Sequence, residues 1–406
     1  MNEPGIIKLK CGSKETTVSL NKDKRPSIPE KVKYAVWGAA AGRCTFCNKY
    51  IISNDDMGET VLIGELAHNV GWGDNSPRGE ASKLINTSSA DNLLLLCRNC
   101  HKPTDAKPER YTEEVLRQKK LTHELRIKRL TAIGADRSAV VLRMVGTIRN
   151  AQPELTYDTV LDALVSEGYS PELLPNSHRA EIEIDLRDRL NPGTPQYFAE
   201  SARHIEGTIK AVLDGVKLDA TSRVAVFGFA RVPLLVHLGA CLDDKVTVLI
   251  FQRQRSDDGN AWRWPEKNPS EVEPTFTINR IRQGTNKSKV ALLANISGTI
   301  LPEELPDHIG DEYSVYEITP IAPAVAGPSL INSPRVLASF ERISRDFFAL
   351  LEKDHGKIPQ VSVFPAVPLS GAITLGRVLM PDVSPTLHVF DRDDNNHFFM
   401  ALEVKK

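Results

Sequence analysis

Asp91-Asn92-Leu93-Leu94-Leu95-Leu96-Cys97-Arg98-Asn99-Cys100-His101-Lys102-Pro103-Thr104-Asp105 decides how the first third of this 406-residue chain is built. A leucine run leads into a Cys-x-x-Cys pair, and a histidine follows the second thiol directly. The pair has an upstream counterpart in Cys44-Thr45-Phe46-Cys47, which leaves Cys11 and Cys241 as singles. In a reducing compartment such pairs read as metal ligands rather than disulfides. Two knuckles present four thiolates tetrahedrally, which suits Zn²⁺ and closes its coordination sphere, so the predicted ion is structural. The knuckles stand further apart than in a compact zinc ribbon. The segment inserted between them is therefore expected to carry the function.

That insert holds Gly64-Glu65-Leu66-Ala67-His68. Hydrolysis of a phosphodiester needs a base to deprotonate water and a cation to stabilise the charge that develops on phosphate. The order His68, Asn92, His101, with the leucine run and second knuckle around it, resembles the HNH (ββα-metal) endonuclease family. Ser76-Pro77-Arg78-Gly79 is similar to the loop after the first histidine in one branch of it. The resemblance implies His68 as general base and Asn92 as the residue that orients the base or its loop. His101 and Asp105, four residues apart, share a face if the turn is helical. Together they would hold one Mg²⁺-class or transition-metal ion. Family members often carry an acid or histidine just before the base, where this chain has Ala67. Glu65 is the nearest replacement, with a solvated carboxylate as its alternative. Taken singly, His68 also reads as a histidine satisfied by a backbone carbonyl, and Asn92 as a turn residue.

A helix is predicted from about Tyr111 to Leu130, with Val115, Leu116, Leu121 and Leu125 as its apolar stripe. Its Arg117, Lys119, Lys120, Arg126, Lys128 and Arg129 are candidates for phosphate contacts or for a solvated face. An earlier helix, roughly Pro29 to Gly42, offers Val32, Val36 and Trp37 as support for the first knuckle.

Net charge is asymmetric. Residues 1–150 carry 25 Lys and Arg against 17 Asp and Glu, a net +8, while residues 151–406 carry 26 against 35, a net −9. The basic part is the one expected to meet a polyanion. No stretch is long and apolar enough to span a bilayer. The polar, mixed-charge opening residues do not read as a secretion signal, and the expectation is a cytoplasmic protein.

From about residue 150 apolar strands alternate with amphipathic helices, and a repeat emerges. Arg223–Phe227 leads to Leu238-Gly239 and then Val246–Phe251; Gln360–Phe364 leads to Leu375-Gly376 and then Thr386–Phe390. A long helix precedes each unit. One is Gln196–Asp214, with Ile205, Ile209, Val212 and Leu213 on a face; the other is Pro334–Asp354, with Leu337, Phe340, Ile343 and Phe347. The pattern predicts two Rossmann-like α/β halves related pseudo-symmetrically, with extra strands at Val290–Ile296 and Tyr313–Ile318 between them. Ligands bind such sheets at the carboxyl ends of strands, here Gly228–Pro233 and Pro365–Gly371. No GxGxxG is present, which argues against ordinary NAD binding.

The repeat, carried by VFGFARVPLLVHLG and VFPAVPLSGAITLGRVL, resembles the SAVED domain, a fusion of two CARF-like halves that bind cyclic oligonucleotides. Candidate ligand contacts are Arg231 for phosphate, Trp262 and Trp264 for stacking on a base, and Pro365 and Ser370 in the second loop. The alternative for the tryptophans is a loop packed onto the sheet. An HNH domain at 1–135 followed by a SAVED domain at 136–406 is similar to effectors of bacterial cyclic-oligonucleotide antiphage signalling (CBASS). The resemblance implies a nuclease that degrades double-stranded DNA with little sequence preference. It also implies a cyclic dinucleotide activator and a homo-oligomer, a tetramer when activated. Two rivals remain: an HNH restriction enzyme whose C-terminal domain reads DNA, and a non-catalytic zinc-stabilised DNA-binding module.

Overall fold

A computed structural model describes residues 6–11, 14–19, 27–55, 57–73, 75–79, 86–134, 136–148, 155–172, 181–187, 194–216, 223–242, 246–255, 260–266 and 272–406. The chain divides into two units, Met1–Ala132 and Ile133–Lys406.

In the first unit β1 (Ile6–Cys11) and β2 (Lys14–Ser19) form an antiparallel pair, followed by α1 (Glu30–Ala39). A small hairpin, β3 (Ile52–Asn54) and β4 (Thr60–Leu62), precedes β5 (Gly64–His68). β5 pairs antiparallel with β6 (Leu93–Cys97), which sets His68 opposite Leu93 and Gly64 opposite Cys97. All four leucines of β6 are at most 1% exposed, because a strand with an unbroken apolar run is covered on both faces. β6 runs straight into α2 (Arg98–Ala106), and α3 (Glu113–Thr131) follows, its N-terminus capped by the Thr112 hydroxyl accepting from Val115 N.

α3 corrects the expected stripe. Leu116 and His123, two turns apart, are buried, whereas Val115, Leu121 and Leu125 are exposed. The core side is shared with a polar residue: His123 Nε2 donates to the Ala40 carbonyl at the end of α1, 3.3 Å away. Two of the basic residues read as candidate phosphate contacts are engaged along the helix, Arg117 with Glu113 and Lys120 with Glu124.

The second unit opens with a strand not expected from the sequence. β7 (Ser138–Val145) is followed by α4 (Tyr157–Ser166), β8 (Ser170–Pro171), β9 (Glu181–Asp185) and α5 (Pro195–Val216). Then come β10 (Arg223–Phe229), α6 (Val232–Cys241) and β11 (Thr247–Phe251). These strands form a parallel sheet in the order β11-β10-β7, with β8 and β9 both paired to β7. Because the apolar run of β7 ends before residue 150, a boundary drawn on composition passes over the strand next to β10.

The second sheet contains β12 (Phe276–Arg282), β13 (Val290–Asn295), β14 (Ser314–Pro320), β15 (Gln360–Ala366), β16 (Thr386–Arg392) and β17 (Phe398–Val404). Its order is β12-β14-β13-β15-β16-β17, parallel at the centre and antiparallel at both edges. The strands expected at 290–296 and 313–318 thus belong inside this sheet rather than between the halves. α7 (Pro334–His355) buries Val336, Leu337, Phe340, Phe347 and Leu351, and α8 (Leu369–Arg377) follows β15. The side chain of Val212, placed on the face of α5 by the sequence, lies outside the described residues.

α6 and α8 pack against each other and are buried along nearly their whole length. Their contact explains the glycine in each repeat. A Cβ on Gly239 would lie 1.9 Å from the Ile373 carbonyl oxygen, and a Cβ on Gly376 would lie 1.8 Å from that of Val236. Each glycine meets the carbonyl three residues before the other, as a two-fold relation between the halves requires.

Candidate functional sites

The first knuckle is built by backbone. Cys44 N donates to Lys49 O and Asn48 N to Cys44 O, both at 2.9 Å, and Thr45 N donates to Leu95 O at 2.9 Å, fastening the turn to β6. The second knuckle spans the junction of β6 and α2. The four Sγ atoms of Cys44, Cys47, Cys97 and Cys100 lie within 4.8 Å of one another, which suits one tetrahedral ion. Burial pushes the Cys44 thiol up, but backbone N–H groups of Cys47, Cys97 and Phe46 outweigh it and bring it down to about 7. Burial also pushes the Cys47 and Cys100 thiols up. Four thiols crowded this closely could hold a Zn²⁺ ion. Among the described residues no other group of three or more His, Cys, Asp or Glu converges in this way.

Beside this frame His68 ends β5, half-buried. The turn after it is clamped by Asn92, 5% exposed. The Asn92 amide donates to Val70 O at 2.9 Å and Thr87 O at 3.0 Å, its Oδ1 accepts from Val70 N at 2.9 Å, and its backbone carbonyl accepts from Asn69 N at 2.7 Å. Asn92 thus holds the two residues that follow His68.

His101 sits in the first turn of α2, between two carboxylates. Glu65 Oε2 is 2.7 Å from Nδ1, and Asp105 Oδ2 is 3.3 Å from Nε2. Glu65 reaches His101 because the β5–β6 register sets it opposite Leu96, where β6 is about to turn into α2. The hydrogen bond with His101 holds the Glu65 carboxyl below its ordinary range, helped by Arg98. The three side chains expected as one ligand set therefore lie in a row. Glu65 occupies the ring nitrogen away from Asp105, the position of a group that fixes a histidine tautomer. His101 Nε2 and Asp105 Oδ2, 3.3 Å apart, are the pair that would hold a divalent cation together.

One participant was not recognised from sequence chemistry. The Arg78 side chain, 8% exposed, lies between the end of β5 and α2, donating to carbonyls of both and to Asp105. Its signal was the Ser76–Gly79 motif, read only as a resemblance.

In the second unit the carboxyl ends of β10, β11 and β15 gather Arg231, Gln252, Arg253 and the start of α8. Arg231 Nε pairs with Asp391 Oδ2 at 2.7 Å, and its Nη2 donates to Arg392 O at 2.7 Å. Ser370, fully buried, donates from N and Oγ to Gln252 Oε1 at 2.9 and 2.8 Å, so its hydroxyl joins the two halves instead of facing a ligand. Pro365 lies half-buried in β15, opposite Ala294. Of the two readings for the tryptophans, Trp262 takes the packed one and not base stacking: it is 1% exposed, edge-on to Phe227, which itself stacks on Phe251. Its indole is core, since an apolar ring of that size covers the sheet. Trp264 is half-buried and lines a cavity of about 230 Å³ along β11 with Tyr169, Leu337 and Arg377. Arg253, whose guanidinium lies 5.9 Å from the centroid of the Phe229 ring, was not anticipated.

Two parallel-centred sheets joined through a pseudo-symmetric helix pair define a double Rossmann-like α/β domain. Residues 206–404 match the family described as SAVED, the SMODS-associated sensor domain fused to various effectors, and this part of the chain is a SAVED domain. Among solved structures the chain is similar to the Acinetobacter baumannii Cap4 SAVED/CARF-domain containing receptor with the cyclic trinucleotide 2′3′3′-cAAA. Identity is 10% and the TM-score 0.43, over 76% of this chain and 60% of that one. The same receptor with 3′3′3′-cAAA gives 11% identity and a TM-score of 0.43, over 77% and 62%. The Moraxella osloensis Cap4 receptor gives 10% and 0.40, over 75% and 60%. This chain thus spans about three fifths of the length of those receptors. None of the curated proteins compared matches it. No helix among the described residues is long and apolar enough to cross a membrane.

Proposed function

We propose that the chain is a metal-dependent HNH endonuclease that cuts double-stranded DNA when its SAVED domain binds a cyclic oligonucleotide. The observation that carries the nuclease half is the row Glu65–His101–Asp105 beside a His68 turn clamped by Asn92. His68 acts as general base, taking the proton from the attacking water. Asn92 holds the base-bearing turn through Val70 and Asn69. His101 and Asp105 would hold a divalent cation such as Mg²⁺, and Glu65 fixes the His101 tautomer by accepting from Nδ1. When bound, that ion stabilises the negative charge developing on phosphate. The four cysteines hold zinc and keep β6 and α2 in register.

The sensor half rests on the SAVED match, whose family is described as sensing and as fused to effectors. The ligand class, a cyclic di- or trinucleotide, follows from the resemblance of the repeat, and the carboxyl ends of β10, β11 and β15 are its expected seat. Arg253 is the cation there that would meet phosphate, and Arg231 would join it on exchanging its contacts with Asp391 and the Arg392 carbonyl. Ligand binding is expected to assemble a homotetramer and so activate cleavage.

The test is cleavage of linear duplex DNA with Mg²⁺ across a panel of cyclic di- and trinucleotides, using wild type and His68→Ala. One member of the panel should switch on cutting by the wild type alone, while His68→Ala assembles equally in light scattering. Constitutive cutting that no cyclic nucleotide alters would remove the sensor, and the absence of cutting under every condition would remove the nuclease.

A further inference from the structure

Arg78 connects the elements that this reading needs to hold in place. Its Nε donates to Asn69 O at 2.6 Å, Nη1 to Thr104 O at 2.8 Å and Tyr111 O at 3.2 Å, and Nη2 to His68 O at 3.2 Å and Asp105 Oδ1 at 3.3 Å. A guanidinium has five N–H donors, and each of these contacts uses one. Asp105 is thereby divided, with Oδ1 toward Arg78 and Oδ2 toward His101. The loop that carries Arg78 is tightly built: Ser76 Oγ donates to Gly73 O at 2.6 Å, Gly71 N donates to Pro77 O at 3.0 Å, and Arg78 itself has φ +58°. A non-glycine residue keeps that conformation only where its surroundings over-determine it.

We infer that Arg78 is a positioning residue of the nuclease centre: its buried guanidinium locks the carbonyls of His68 and Asn69 against α2 and fixes the rotamer of Asp105. The inference rests on the nuclease reading above. Asn92, just ahead of β6, holds the turn after His68 on one side, and Arg78 ties the same turn to α2 on the other, so the distance from base to metal-binding pair is set from both sides. With its donors engaged by protein oxygens and 8% of its side chain exposed, Arg78 is spent on the protein and not on DNA phosphate. Lysine cannot replace it, because one ammonium cannot span acceptors on β5, α2 and Tyr111.

The experiment uses the full-length protein with Mg²⁺ and each member of a panel of cyclic di- and trinucleotides, and compares wild type, Arg78→Lys and Arg78→Ala, the last with and without millimolar methylguanidinium. Loss of an orienting contact of this kind lowers activity by about 10- to 100-fold. We expect that loss in kcat for Arg78→Lys, with zinc content, KM for DNA and the salt dependence of KM unchanged, and partial recovery of Arg78→Ala on adding methylguanidinium. A purely structural role would move zinc content and unfolding, and methylguanidinium would not restore activity; that result overturns the inference. A raised KM with a salt slope smaller by about one would make Arg78 a phosphate contact and overturn it too. Wild-type kcat in Arg78→Lys would do the same while leaving the nuclease reading intact. A wild type that never cuts DNA would instead sink the nuclease reading first, and the positioning role with it.

Discussion

Alanine at Gly239 tests whether the α6–α8 crossing holds the two halves of the SAVED domain together. Inside a helix, glycine to alanine is favourable by about 1 kcal/mol when nothing obstructs the new methyl. Here the methyl would stand 1.9 Å from Ile373 O, 2.8 Å from its carbonyl carbon and 2.9 Å from Arg377 N, all backbone atoms that no rotamer can clear. Relief requires the helices to part by more than ~1 Å, since dispersion contacts lie at about 3.5–4 Å. Overpacking a core commonly costs ~1–3 kcal/mol, and a clash with backbone on both sides belongs at or above the top of that range. Gly239→Ala and Gly376→Ala should each destabilise the unit by about 3 kcal/mol, net of the helix-propensity gain. Because both obstruct the same crossing, the double variant should cost clearly less than the sum. The assay is urea dependence of amide exchange in β10 and β15, followed in the full-length protein. Stabilisation by either alanine, or strict additivity in the double variant, would refute the reasoning.

Cys97→Ser should release zinc and unfold the first unit, whereas His68→Ala should keep both zinc and fold while losing cleavage; zinc analysis beside circular dichroism checks this, and equal zinc loss would make His68 structural. Trp262→Ala should destabilise the second unit by about 3–5 kcal/mol, as for other buried tryptophans, while Trp264→Ala costs much less; urea midpoints compare them, and equal costs would contradict the burial of Trp262. Burial lowers the pKa of His123, so below the ordinary histidine value near 6.5 the unfolded chain takes up the proton first. That contribution to stability is complete above the unfolded value and is lost as pH falls toward the folded one, at no more than about 1.4 kcal/mol per pH unit. Relative to wild type, His123→Gln should therefore lose less stability between pH 7.5 and about 5.5 in thermal unfolding; parallel profiles would show that His123 titrates as it does in the unfolded chain.

Much of the site was legible because it is local. Cysteine pairs two residues apart, a histidine next to a knuckle, and an acid four residues further along a helix carry their geometry in their spacing. So does the twelve-residue step from Phe227 to Gly239 and from Phe364 to Gly376, which exposed the repeat before any strand was paired. Periodicity was a weaker guide where a helix is buried along a narrow edge. In α3 the core side runs through Leu116 and His123, and the better apolar candidates, Leu121 and Leu125, face solvent.

The sequence by itself determined the thiol frame, the order of the catalytic candidates and the doubled α/β pattern, since each depends on residues a few positions apart. Only the tertiary structure decided which side of His101 Glu65 would occupy, that Arg78 would join β5 to α2, that Trp262 would be core, and that β7 would stand beside β10. These are contacts across long stretches of chain. The strand register and helix packing that create them come from burying many apolar side chains at once, and no short motif records that outcome.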